Sequence, residues 1–311
     1  MRKRGYISFA GLAATLILTG CFHNVHEFSA SMFGGPVGYV TTSLLWEQGE
    51  DMRSSVDDIK VSVGGQKVSL SKRYDGVENL SEELLQLPVG EYDVLVTVNM
   101  SEADGFILNG LPATKADVSE PLLADVSVSL KDPSSQPAQA WYGLSHVSVT
   151  ENSISRTEAE LQRLLSVLTL NLDKVPAGTK VAISISNVAQ SVTLTAVDGM
   201  GRYGVPGSGA TDVVQLGTLT ATAYGALGVK EFTMLPTAAQ CERCLLTINV
   251  TTPAGQELTY IGDAPRTECG KSYTLNLDYS TLKPYMYVAS SDISEWDEGW
   301  SVTGEILNPN E

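Results

Sequence analysis

Side chains suited to soft-metal ligation or nucleophilic attack are few in these 311 residues: three histidines and four cysteines. A tetrahedral zinc site takes four N or S ligands, or three plus water in an enzyme, and no histidine lies near the Cys241, Cys244, Cys269 group in sequence. Cations are also sparse. Lys and Arg total 20 against 36 Asp and Glu, for a net charge of −16. So acidic a surface repels phosphate backbones and argues against nucleic-acid binding. Charged residues are only 18%, while apolar residues reach 43%, which excludes a disordered chain. No Gly-x-Ser-x-Gly elbow occurs. The glycine-rich stretch from Gly199 to Gly209 has no Lys-Ser/Thr ending, so it is no phosphate cradle. Carboxylate neighbours such as Asp57-Asp58, Glu82-Glu83 and Glu295 with Asp297 follow from abundance, and Asp292, Asp297 and Glu298 lack EF-hand spacing. These absences point away from catalysis. No catalytic residue, metal, cofactor or small-molecule substrate is expected.

What is present begins at the N-terminus. Arg2-Lys3-Arg4 precedes an apolar stretch from Tyr6 to Leu18, then Leu18-Thr19-Gly20-Cys21. Thirteen helical residues span about 20 Å, short of the roughly 30 Å hydrocarbon core, so the segment reads as an export signal and not a stable span. The Leu-Thr-Gly-Cys ending resembles a bacterial lipobox. That resemblance implies cleavage between Gly20 and Cys21 and acylation of Cys21, with chains such as palmitate. Acyl anchoring gains about 0.8 kcal/mol per buried CH₂, so several chains hold a protein firmly. Phe22 follows the cysteine instead of Asp, which favours the outer membrane. Removing three cations with the signal lowers the charge from −16 to −19.

Past Cys21 no apolar stretch approaches 18 residues. Length suggests two domains as a soft prior. Residues 1–20 are assigned to the signal, 21–38 to a tether, 39–140 to a first β-sandwich and 141–311 to a second. The dominant period is two. Val40–Trp46 reads as a strand, and Ile59, Val61 and Val63 alternate before Gly64-Gly65, with Val68 and Leu70 resuming, which predicts a hairpin. Tyr92, Val94, Val96 and Val98 share one strand face after the Pro88–Gly90 turn. Lys131–Gln139, with two prolines and two serines, is the natural linker. Ser155-Arg156-Thr157-Glu158 has the form of a capping box, and Leu161, Leu164, Leu165 and Leu168 sit at helical spacing, so a short helical lead-in is expected before a strand over 167–172. Alternating runs then recur to residue 278, separated by Gly and Pro turns, which argues for sandwiches. Residues 199–209 read as one long flexible loop.

In an exported chain a disulfide is the default for Cys241, Cys244 and Cys269. If the strands meander, Cys244 and Cys269 fall at the same end of one sheet, which favours Cys269 bonded to Cys241 or Cys244 with one thiol over.

The lipobox at Cys21, Leu44-Leu45-Trp46, the Leu87-Pro88-Val89-Gly90-Glu91-Tyr92 strand entry, the Leu161–Leu164 run feeding Val175-Pro176-Ala177-Gly178, and the tail Ile293–Trp300 followed by Val302–Leu307 occur in an order that resembles the fimbrillin-like lipoproteins of the Bacteroidales. The resemblance implies an all-β chain of two tandem transthyretin-like, Greek-key β-sandwiches. It also implies a lipid-anchored subunit of a fimbria-like assembly whose partners are the outer membrane and other fimbrial subunits, acting by β-strand exchange. Between Cys21 and Arg53 there is no other Lys or Arg. A trypsin-like cut after Arg53 would remove lipid and first strand together; alternatively Arg53 is a solvated loop charge. Val302, Thr303, Gly304, Glu305, Ile306 and Leu307 form either a donor strand or the last strand of their own domain. A rival reading is a glycan- or peptide-binding lipoprotein that uses Trp296, Trp300, Tyr285 and Tyr287.

Overall fold

The computed structural model describes residues 24–26, 35–46, 56–65, 68–111, 123, 125–227, 230–282, 285–286 and 301–303. Strands dominate. In chain order they are β1 (Asn24–His26), β2 (Val37–Trp46), β3 (Ile59–Gly65), β4 (Ser69–Tyr74), β5 (Glu83–Pro88), β6 (Gly90–Val98), β7 (Phe106–Asn109), β8 (Ser127–Leu130), β9 (Trp141–Val149) and β10 (Ile154–Arg163). There follow β11 (Ser166–Asp173), β12 (Lys180–Ser186), β13 (Val188–Ala189), β14 (Ser191–Val197), β15 (Tyr203–Pro206), β16 (Ala210–Thr211), β17 (Val214–Thr220), β18 (Lys230–Met234), β19 (Cys244–Thr251), β20 (Glu257–Ala264), β21 (Ser272–Asp278), β22 (Tyr285–Met286) and β23 (Ser301–Thr303). One short helix, α1 (Val77–Ser81), joins β4 to β5.

The largest sheet runs β1-β5-β2-β10-β9-β6-β3-β4. Strand β10 is its corner: Ile154–Leu161 pair in parallel with β2, and Gln162 and Arg163 then turn to pair with β9. The sheet folds around an apolar cluster that includes Val40, Trp46, Ile59, Leu85, Tyr92, Val96, Trp141 and Leu161. The expected hairpin forms, Val63 opposite Leu70, but Gly64 and Gly65 are the last residues of β3 and not its turn, Gly64 lying opposite Ser69.

The rest of the chain builds the sheets β18-β11-β21-β23, β17-β12-β19-β20-β22, β15-β14-β8-β7 and the small pair β13-β16. These enclose a second cluster containing Phe106, Leu130, Leu168, Ile183, Phe232 and Leu275.

The two cores are interleaved along the chain. Strands β7 and β8 precede residue 140, yet β8 pairs with β14 and Phe106, Val128 and Leu130 belong to the second core. Strands β9 and β10 follow residue 140, yet complete the first sheet. The partition between the cores is made of β6 and β9. Val94, Val96 and Trp141 face the first core, whereas Leu95 and its cross-strand partner Leu144, together with Tyr142, face the second. Strand residues alternate faces, so these two strands are apolar on both sides where the cores abut.

Three local expectations are corrected. Residues 155–163 are strand, not a helical lead-in: Thr157, Ala159, Leu161 and Arg163 are buried while their neighbours are not, a period of two. Residues 199–209 are a braced hairpin ending in β15 and not one long loop. The strands after Cys244 and Cys269 do not share a sheet, because the chain crosses from the β19–β20 sheet to the β11–β21 sheet.

The Pro/Ser linker has a structural task. Ser134 C=O accepts from Gln215 N–H at 3.2 Å, and Gln136 Nε2 donates to Leu216 C=O at 2.6 Å, on the edge strand β17. Pro137 C=O accepts from Thr233 Oγ1 at 2.6 Å, on the edge strand β18. One segment thus pairs with backbone of the β17 edge, which would otherwise be open, and is tied to β18 through a side chain.

Candidate functional site

Strand β2 is interior to its sheet, antiparallel to β5 through Val37–Val40 and parallel to β10 through Tyr39–Trp46. Gly38, Val40, Thr42 and Trp46 are buried and Leu45 points outward at 47% exposure. Trp46 meets Trp141 edge-on, centroids 5.8 Å apart and planes at 89°, a favoured aromatic geometry. The strand enters through close backbone approaches: Tyr39 N–H donates to Ser153 C=O at 2.9 Å, and Asn152 N–H to Val37 C=O at 3.0 Å. A Cβ on Gly38 would lie 2.2 Å from the Thr150 carbonyl oxygen, so only glycine fits. Thr42 Oγ1 is buried and, among the described residues, accepts and donates no hydrogen bond.

The opposite margin of the first core is closed by charge. Lys72 on β4 pairs with the buried Glu83 on β5, and Arg73 pairs with the buried Asp58. Burial, then the nearby Glu83 carboxylate, drives the Tyr74 phenol well above its usual range. Glu83 also begins the register with β1, opposite Asn24.

At the strand entry singled out in the sequence, Tyr92 is buried and its hydroxyl donates to Pro88 C=O at 2.9 Å. Burial pushes its pKa up to about 12. On the solvent side of the same strand, exposed His146 on β9 sits between two carboxylates, Nδ1 at 3.0 Å from Asp93 and Nε2 at 2.9 Å from Glu91. Hydrogen bonds to Asp93 and Glu91 raise the imidazole pKa; Ser148 and then His146 lower that of Glu91.

The cysteines are not bonded to one another: Cys241, Cys244 and Cys269 are free. Each has a separate setting. Cys244 Sγ lies 3.0 Å from Thr237 Oγ1 in a buried hydroxyl cluster with Thr267, and burial raises its pKa to about 11. Cys269 Sγ faces Gly204 C=O at 3.8 Å, and burial raises its pKa to about 12. The expected bridge rested on one meandering sheet, which the crossing between sheets removes. Among the described residues no group of His, Cys, Asp and Glu is arranged to hold a metal.

Gly20, Cys21, Arg53 and the Gly304–Leu307 part of the candidate donor strand lie outside the described residues, as do Tyr287, Trp296 and Trp300. Val302 and Thr303 lie on β23, which pairs in parallel with Leu275 and Asn276 at the edge of its sheet. No described helix is long and apolar enough to cross a membrane.

The family match makes this all-β chain a fimbria-associated surface protein. The chain belongs to the family of fimbrillin-A associated anchor proteins Mfa1 and Mfa2, whose model matches residues 46–298. The same fold occurs in a candidate adhesin from Bacteroides thetaiotaomicron, 13% identical, covering 84% of this chain and 97% of that one at a TM-score of 0.54. A candidate cell adhesion protein of Bacteroides eggerthii is 16% identical over 88% of this chain and 96% of that one, TM-score 0.49. The fimbrial anchor protein Mfa2 of Porphyromonas gingivalis is 14% identical over 71% and 79%, TM-score 0.44. No curated protein matches the chain.

Proposed function

We infer that this chain is a non-enzymatic, lipid-anchored subunit, an anchor or minor component, of a fimbria-like assembly on the outer membrane. It is held by acyl chains on Cys21 and engages neighbouring subunits through β-strand exchange. The observation that carries the reading is the placement of β2: an interior strand, apolar toward the core, preceded by the short edge strand β1 and followed by a segment holding Arg53. A cut after Arg53 opens a slot between β5 and β10 whose backbone donors, acceptors and apolar pockets suit an incoming strand. Uncut, the same strand stays in place and the lipid is retained, which suits an anchor. The C-terminal edge strand, continuing through Val302–Leu307, is the complementary element to offer.

The test is limited trypsin digestion of the isolated protein with N-terminal sequencing and sizing, alongside labelling of cells with an alkynyl palmitate. Label dependent on Cys21, together with either a clean cut after Arg53 followed by oligomer ladders or a resistant chain that co-purifies with a fimbrial shaft, supports the reading. A Cys21→Ala chain that keeps both label and membrane retention refutes it.

A further inference from the structure

The β14–β15 hairpin is braced from within its own turn. Asp198 Oδ1 accepts from the backbone N–H groups of Met200 at 2.8 Å and Arg202 at 2.9 Å, and Asp198 Oδ2 accepts from Arg202 Nε at 2.9 Å. Arg202 Nη1 reaches across to Glu268 Oε2 at 2.8 Å, on the segment that joins β20 to β21. A cavity of about 340 Å³ lies between hairpin and segment. Asp198, Arg202, Arg266 and Glu268 supply its charged lining, Met200 and Tyr203 its apolar side. That volume is at the small end of ligand sites, and a mostly apolar wall with a few fixed polar groups is their usual make-up.

The chemistry of the lining selects among ligands. Two carboxylates and two guanidinium groups balance, so neither an anion nor a cation finds a surplus of opposite charge, and the net −16 of the chain further disfavours an anion. Both donors and acceptors remain for a ligand. Of the five N–H donors of Arg202, three go to Asp198 and Glu268 through Nε, Nη1 and Nη2 and two remain, while each carboxylate has about four lone-pair sites. Arg266 Nη1 donates to the Cys241 carbonyl at 2.7 Å, which fixes that guanidinium too. Beside this polar ring stands an exposed apolar face. Val197 is opposite Tyr203 in register at 51% exposure, and Met200 at the turn is 71% exposed. A peptide strand is poorly served, because three carbonyls along the hairpin are already engaged: Tyr203 by the Tyr142 hydroxyl at 3.0 Å, Gly204 by Cys269, and Gly207 by Ala239 N–H at 3.0 Å.

We propose that the cavity between the 198–206 hairpin and the 266–269 segment binds a neutral saccharide, its hydroxyls bonded by the Asp198–Arg202–Glu268 ring and its apolar ring face laid on Met200 and Tyr203. The site is distinct from the strand slot and needs no assembly partner.

The whole folded chain is run through native gels containing dextran, galactomannan, xylan or soluble chitin oligomers, with polygalacturonate and a neutral peptide mixture as contrasts. Retardation by at least one neutral polysaccharide is expected. It falls at least tenfold in apparent affinity in Glu268→Gln and in Met200→Asp, at a side chain that is mostly in solvent, with an unchanged melting temperature as the check on folding. Absence of retardation by all four neutral polymers overturns the proposal. So does retardation unchanged in both variants, or binding confined to polygalacturonate or peptide.

Discussion

The Tyr92 hydroxyl, buried in the first core, donates to the Pro88 carbonyl four residues earlier, across the point where the chain passes from β5 to β6. The bond ties the end of one strand to the start of the next although the two lie far apart in sheet order, so it fixes a crossing and not a hairpin. Replacing Tyr92 by Phe leaves a buried carbonyl without its donor. Loss of about 1–3 kcal/mol is expected from such an orphaned group, read as a lower urea midpoint with an unchanged m-value.

Gly204 has a φ of +91°, and a Cβ there would lie 1.9 Å from the Tyr142 hydroxyl oxygen. Gly204→Ala is expected to destabilise by about 2 kcal/mol or more, since positive-φ strain and overpacking add. The double variant with Tyr142→Phe should recover part of that loss. Strict additivity of the two substitutions in thermal denaturation would contradict the contact.

The raised pKa of His146 sets the sign of a pH effect. Its carboxylate partners favour the imidazolium in the folded state, so the stabilisation is complete below the unfolded value of about 6.5 and disappears as pH rises through the folded value. Melting temperature followed from pH 6 to 8.5 should decline more steeply for the parent than for His146→Gln. Because the three side chains are exposed, added salt should flatten the difference.

Thiol chemistry should separate the three cysteines of the folded body. Cys244 and Cys269 are protonated at neutral pH, with values near 11 and 12, and the thiolate is the reactive form. In native protein Ellman's reagent should label Cys241 well ahead of the other two, and denaturant should release both. Equal migration with and without reductant checks that no bridge is present.

Gln136→Ala removes the side chain that donates to Leu216 and Gln215 carbonyls on an edge strand. A modest loss of about 0.5–1.5 kcal/mol is expected. The more sensitive readout is light scattering at high concentration, where the uncovered edge should increase self-association.

Strands with a clean alternation were legible in the residues. Ile59–Leu70 folds as a hairpin, though its glycine pair ends β3 instead of turning the chain, and 181–185, 191–196, 245–250 and 272–278 are all strands. The stretch 155–165 misleads because leucines three and four apart fit a helix, whereas Thr157 and Arg163, polar but buried, carry the strand period. Strand β5 leaves no alternation since all its residues are buried, and nothing local marks it. The brace at Asp198 was equally hidden: glycine content suggests a slack loop, while the order comes from one carboxylate facing back onto its own turn. Which sheet a strand joins is a long-range property. The crossing after β20 has no signature in the residues around Cys269, so the disulfide inferred from a meander failed with it.

The interleaving of the two cores dictates an order of events during folding. A chain emerging N-terminus first from synthesis delivers β2 to β6 early, yet their sheet stays incomplete until Arg163 has emerged, and β7 and β8 must wait for β14. Nucleation by either half alone is therefore denied, and pairing across large sequence separations makes for slow closure. A chain built this way leaves apolar strands bare until partners distant in sequence arrive. It resists being divided into two autonomous pieces, because each core takes strands from both sides of residue 140.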